Sequence, residues 1–82
     1  MEETKIYALD DFEQGMIKKT LEEVYNILKE KGYNPINQIV GYFMSGDPGY
    51  ITGYKNARNM IMKLDRSKTL EILIKEFIKC DI

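Results

Sequence analysis

The sequence has no histidine and no tryptophan, and only one cysteine, Cys80, and two prolines, Pro35 and Pro48, in 82 residues. Each scarcity removes a class of chemistry. One thiol excludes an intrachain disulfide, and without histidine a histidine or multi-cysteine metal site is impossible within one chain. Covalent catalysis needs a nucleophile beside a base, and the only thiol sits close to an end expected to fray. The carboxylates fall at exposed helical positions or near the N-terminus, so neither an enzyme nor a cofactor is expected. The segment Gly46 to Gly53, with Gly49 between them, lacks the Gly-x-Gly-x-x-Gly spacing or the Gly-Lys-Ser/Thr ending of a phosphate cradle. No apolar run is long enough to span a bilayer, and the start carries no basic, apolar and cleavage-site pattern. The expectation is a cytoplasmic protein without membrane insertion.

A chain of this length makes one domain, which buries only about 60% of the surface its unfolded form exposes. Such small cores are commonly helped by disulfides, metals or oligomerisation, and here oligomerisation is what remains. Charge is nearly balanced, 12 basic against 13 acidic residues, yet unevenly placed. Residues 1–13 hold Glu2, Glu3, Asp10, Asp11 and Glu13 against Lys5, whereas residues 54–68 hold Lys55, Arg58, Lys63, Arg66 and Lys68 against Asp65. An acidic N-terminal segment thus accompanies a basic helix.

Both prolines and four of the six glycines lie between Glu30 and Tyr50. Gly32 is suited to end one helix in the left-handed conformation, Asn34 to cap the next, and Pro35 to occupy its first position, where a missing donor costs nothing. Gly46 offers another stop, and Asp47-Pro48 repeats the cap-then-proline signal. These signals divide the chain into a mobile acidic arm, residues 1–12, and a helical domain, residues 13–82. The fold expected is all-α, a compact bundle of about four helices completed by dimerisation.

The first helix is expected from about Glu13 to Lys31, with Ile17, Leu21, Val24 and Leu28 as its apolar stripe, widened by Tyr25 and Ile27. The second, Pro35 to about Ser45, is apolar on nearly all sides and must be surrounded. A second copy is the simplest cover, which places Tyr33, Ile39, Tyr42, Phe43, Tyr50 and Tyr54 at a dimer or partner interface. Gly41, inside this helix, permits close approach, either within the chain or between subunits. A third helix, about Tyr54 to Leu64, turns Ala57, Met60, Ile61 and Leu64 inward and Lys55, Arg58, Lys63 and Arg66 outward as a basic surface. Ser67 is the candidate cap of a fourth helix, whose stripe is Leu70, Leu73, Ile74, Phe77 and Ile78 and which ends near Lys79.

The run Gly32-Tyr33-Asn34-Pro35-Ile36-Asn37-Gln38-Ile39-Val40-Gly41-Tyr42, followed by Ser45-Gly46-Asp47-Pro48, closely resembles the signature of the IreB family, small regulatory phosphoproteins of Gram-positive bacteria. The likeness continues through Tyr50-Ile51, Ala57-Arg58-Asn59, Ile61, Lys63 and Arg66, covering nearly the whole chain. Thr52 and Gly53 depart from it where a proline and a basic residue are the pattern. The resemblance implies an N-terminal threonine that accepts phosphate from a membrane Ser/Thr kinase and returns it through a cognate phosphatase. Thr4, three residues before Tyr7 and shortly before Asp10-Asp11, reproduces that pattern. It further implies a role in the cell-envelope stress response, including tolerance to β-lactams such as cephalosporins, exercised through an unknown downstream protein.

Two function classes compete with the regulatory one. An enzyme is opposed by the missing residues above. A small helical nucleic-acid-binding domain would use Lys55, Arg58, Lys63 and Arg66, but four exposed cations are common on helices and the chain is not net basic. Nucleic acid is therefore the alternative, and a noncatalytic homodimeric module that binds a protein partner is the reading adopted.

Overall fold

The computed structural model describes residues 2–78, with side-chain surroundings from Phe12 onward. Its elements are α1 (Glu2–Glu30), α2 (Pro35–Ser45), a 3₁₀ turn at Pro48–Tyr50, a second at Tyr54–Asn56, α3 (Ala57–Met62) and α4 (Arg66–Ile78). The architecture is all-α, with four helices and no strand among the described residues. Residues 79–82, Cys80 among them, lie outside that range.

The backbone of α1 is helical from Glu2 and not from about Glu13. No proline or glycine interrupts residues 2–14, and Gly15 costs only about 1 kcal/mol relative to alanine, too little to impose a boundary by itself. At 1.5 Å per residue the helix is roughly 43 Å long, and it sets the longest dimension of the molecule, 45 Å.

Local signals at the next boundaries work as the sequence predicts. Gly32 and Gly46 both take positive φ, +91° and +75°, ending α1 and α2 in the conformation that glycine adopts without a steric penalty. The Asn34 side chain accepts from the Asn37 amide at 3.1 Å, with Pro35 in the first position of α2. Asp47 also caps, accepting from the Gly49 amide at 2.8 Å, but it opens a single 3₁₀ turn.

Two further boundaries differ from expectation. α3 is shorter than Tyr54 to Leu64 because Lys55 and Asn56 have φ of +50° and +68°, a left-handed pair that no continuous helix accommodates. The cap of α4 is Asp65 and not Ser67: its carboxylate accepts from the Lys68 amide at 3.0 Å and its carbonyl from the Thr69 amide. An aspartate two residues earlier supplies the same acceptor as the serine would, and at the positive end of the helix dipole.

The core joins Val24 and Leu28 of α1 to Tyr42 and Phe43 of α2, Ile51 of the connecting loop, and Ala57 and Ile61 of α3. Leu21, Ile27, Ile39, Met60 and Leu64 pack around it half-buried, so the stripes read from α1 and α3 point inward except at Tyr25, which stays exposed. α4 does the reverse. Its five apolar stripe residues are exposed, while Thr69 is its one buried side chain.

Candidate interaction site

The loop after α2 is tied down on three sides by its own sequence. Tyr50 lays its ring across Gly41: a Cβ on Gly41 would lie 2.4 Å from Tyr50 Cε1 and 2.5 Å from Cδ1. Beneath the ring, Gln38 Nε2 donates to the Tyr50 carbonyl at 2.7 Å. Ser45 Oγ donates to the Gly41 carbonyl at 2.7 Å and accepts from the Asp47 amide at 3.0 Å. The close approach that Gly41 allows is therefore made by a tyrosine of the same chain.

Arginines complete the fastening. Arg58 Nε on α3 donates to the carbonyls of Pro48 and Ile51, at 3.1 and 2.8 Å. Arg66 reaches from the start of α4 to the Phe43 carbonyl, 3.0 Å from Nη1, and its guanidinium fills the space a side chain at Gly46 would need. A cation on the last carbonyls of α2 also suits the negative end of its dipole.

A separate cluster sits at the end of α1. Glu30 accepts from Lys55 Nζ, at 3.0 and 3.1 Å, and from the Tyr54 hydroxyl at 3.1 Å. Lys31 and Lys55 lie over the Tyr54 ring, 4.6 and 5.4 Å from its centroid, close enough for cation–π attraction. The hydrogen bonds from Lys55 first, then from Tyr54, hold the Glu30 carboxyl below its ordinary pKa, and the same bond to Glu30 holds Lys55 above its own. Sequence spacing gave no sign of this cluster, since Glu30 and Lys55 are joined only by the fold.

These placements revise the residues read as an interface. Tyr42 and Phe43 are 5% and 8% exposed, their rings meeting edge to face at 5.5 Å inside the chain's own core. They are corrected from interface anchors to core residues, because α1, α3 and the Ile51 loop cover them without a second copy. Ile39 is half-buried on the same side, whereas Tyr33, Tyr50 and Tyr54 keep substantial exposure. The open ridge of α2 is instead Ile36, Val40 and Met44, spaced by four.

The four basic side chains read as a surface are all exposed, but three of them are also engaged. Arg58 and Arg66 serve backbone carbonyls, and Lys55 serves Glu30. Lys63 does not join them: together with Lys68 it borders a groove between α1 and the α3–α4 junction. Thr4 lies in the first turn of α1, and its side chain is outside the described ones.

Among the described residues, no three acidic, cysteine or histidine side chains are grouped to hold a metal ion. No described helix is long and apolar enough to cross a membrane. Compared with models of known families, residues 2–79 match that of the IreB regulatory phosphoprotein.

Proposed function

The chain belongs to the IreB family of regulatory phosphoproteins, and on that premise we propose that it is a noncatalytic, homodimeric switch modified at Thr4 by a membrane Ser/Thr kinase and reset by a cognate phosphatase. Its output is a change in contact with a downstream protein that tunes the cell-envelope stress response and tolerance to β-lactams. The family match over residues 2–79 carries this reading. The geometry supports it from the other direction, because Gln38, Ser45, Asp47, Arg58 and Arg66 are occupied in fastening backbone.

Phosphate adds about −1.5 to −2 charge at neutral pH and strong acceptor oxygens, and it acts by recruiting arginine and lysine. Docking of the phosphorylated N-terminal segment on Lys55, Arg58, Lys63 and Arg66 would compete with the Glu30 carboxylate for Lys55 and would be left the donors that Arg58 Nε and Arg66 Nη1 do not already commit to backbone carbonyls. An external basic partner faces no such competition and is the target we favour. The nucleic-acid alternative is weakened for the same reason.

Incubation with a kinase of this class, site mapping by mass spectrometry, and a pulldown comparing modified and unmodified protein test the proposal. Phosphate at Thr4 with a changed set of captured proteins is expected. Modification confined to Thr20, Thr52 or Thr69 would overturn the site; Thr69 has no exposed surface to offer a kinase.

A further inference from the structure

The outer face of α2 is unlike a face built for water. The helix carries no charged side chain along its length, and Ile36, Val40 and Met44, spaced by four, are all exposed, Met44 to 82%. Tyr50 widens the strip, since its ring lies across Gly41, the neighbour of Val40, and is itself exposed. A solvated helix face ordinarily carries charge, and an uncharged apolar one marks a contact surface. From Ile36 to Met44 the strip runs about 12 Å, or two helical turns.

Two cations border this strip. The Arg66 guanidinium lies against the Phe43 carbonyl and Gly46, the residues on either side of Met44 and Ser45. Arg58 holds the carbonyls of Pro48 and Ile51, on either side of Gly49 and Tyr50. These contacts use Nη1 of Arg66 and Nε of Arg58 and leave further N–H donors on both forks. Among the described residues, neither guanidinium has a carboxylate within ion-pair distance. From Pro35 to Leu64 the one acidic residue is Asp47, and its carboxylate is turned to the Gly49 amide. Each arginine is thus fixed by backbone before a partner arrives, which lowers the side-chain freedom lost on binding.

Resting on the reading of the protein as a noncatalytic module that works through a downstream protein, we infer that this strip receives an amphipathic helix of that protein. The helix lays apolar residues on Ile36, Val40 and Met44 and presents aspartate or glutamate to Arg58 and Arg66. A ridge spaced by four packs into the groove between the equivalent rows of another helix. Carboxylates match the planar forks of the arginines bidentately. Nucleic acid would leave the apolar strip unmatched and calls for a wider basic surface. The α2 of a second copy has no acidic side chain to offer the arginines.

Panning a display library of random peptides about four helical turns long on the unmodified full chain supplies the probe, and fluorescence anisotropy with synthetic copies of the retained peptides measures it. Retained sequences should repeat apolar residues at three- and four-residue spacing beside aspartate or glutamate. Their affinity should fall about 30-fold or more in Val40→Glu and in Met44→Glu, and about tenfold when asparagine and glutamine replace the acids of the peptide. The charge is removed from the peptide because Arg58 and Arg66 also hold backbone. Should Val40→Glu unfold, Met44→Glu decides, its side chain standing in solvent. Retained peptides without acidic residues, their displacement by single-stranded DNA, or affinity lost in Phe77→Glu and kept in Val40→Glu would each overturn the assignment. So would a wild-type oligomer that Met44→Glu dissociates in sedimentation, since a second copy would then hold the strip. If no such peptide is retained while phosphorylation at Thr4 still changes the proteins captured, this inference falls and the regulatory reading stands.

Discussion

Replacing Gly41 by alanine should destabilise the protein, against the usual direction for a helical glycine. In a helix interior the change ordinarily gains about 1 kcal/mol. Here the new Cβ would lie 2.4 Å from Tyr50 Cε1, 2.5 Å from Cδ1 and 3.1 Å from Cγ, so the whole ring must move and not merely its tip. The ring has little freedom to do so at its root, since the Tyr50 carbonyl is held by Gln38 and the next residue, Ile51, is fully buried. Overpacking costs about 1 to 3 kcal/mol. The net effect expected is a loss of roughly 0 to 2 kcal/mol, within which a loss of 1 lowers the melting temperature by about 4 to 8 °C for a domain of this size. The decisive measurement is a double-mutant cycle in denaturant titration. With Tyr50→Ala already present the obstruction is gone, and Gly41→Ala should then stabilise by its normal ~1 kcal/mol. Equal stabilisation in both backgrounds would refute the packing of Tyr50 on Gly41.

Three further outcomes follow from the caps, the buried threonine and the Glu30–Lys55 contact. Asp65→Ala should cost about 0.5 to 2 kcal/mol through loss of the α4 cap, while Ser67→Ala should cost much less; equal losses in chemical denaturation would contradict the assignment of the cap. Thr69→Val keeps the shape and removes a buried hydroxyl without a partner, so it should be neutral or stabilise by about 1 kcal/mol, and clear destabilisation would mean that the hydroxyl is used. The Glu30–Lys55 contact should be at full strength between the carboxylate and lysine ranges. Glu30 titrates lower when folded, so its share is present above its unfolded pKa and fades as pH falls through the lowered value; Lys55 titrates higher, so its share fades only as pH rises through the raised one. Lys55→Met should flatten the acid limb of a pH–stability curve slightly, because the pair is exposed and screened, and an unchanged limb would show that the contact contributes nothing.

Local chemistry was legible residue by residue. Asn34, Pro35, Gly32 and Gly46 act at their own positions, and a cap or a left-handed glycine needs no distant partner to be recognised. The stripes of α1 and α3 were legible for a related reason: periodicity reports which residues share a face, and for these helices that face is the core. The same reasoning misled on α2 and α4. An all-round apolar helix does not announce which side its own chain covers, so Tyr42 and Phe43 were assigned outward when Ile36, Val40 and Met44 are the open ridge. On α4 the pattern identified the stripe correctly but said nothing of its direction, and the fold turned Thr69 inward.

The basic residues mark the same limit. Composition counted Lys55, Arg58, Lys63 and Arg66 as one surface, because charge in a sequence carries no record of what it faces. Only the tertiary structure brings Pro48 and Ile51 beneath Arg58, Phe43 beneath Arg66, and Glu30 beside Lys55. By itself the sequence determined the helices, most of their ends and the family, since these depend on neighbours within a turn or on an unbroken run of residues. What the tertiary structure decided was which cations are engaged and which apolar faces stay open, because both depend on contacts between residues at least seven positions apart, most of them on different elements.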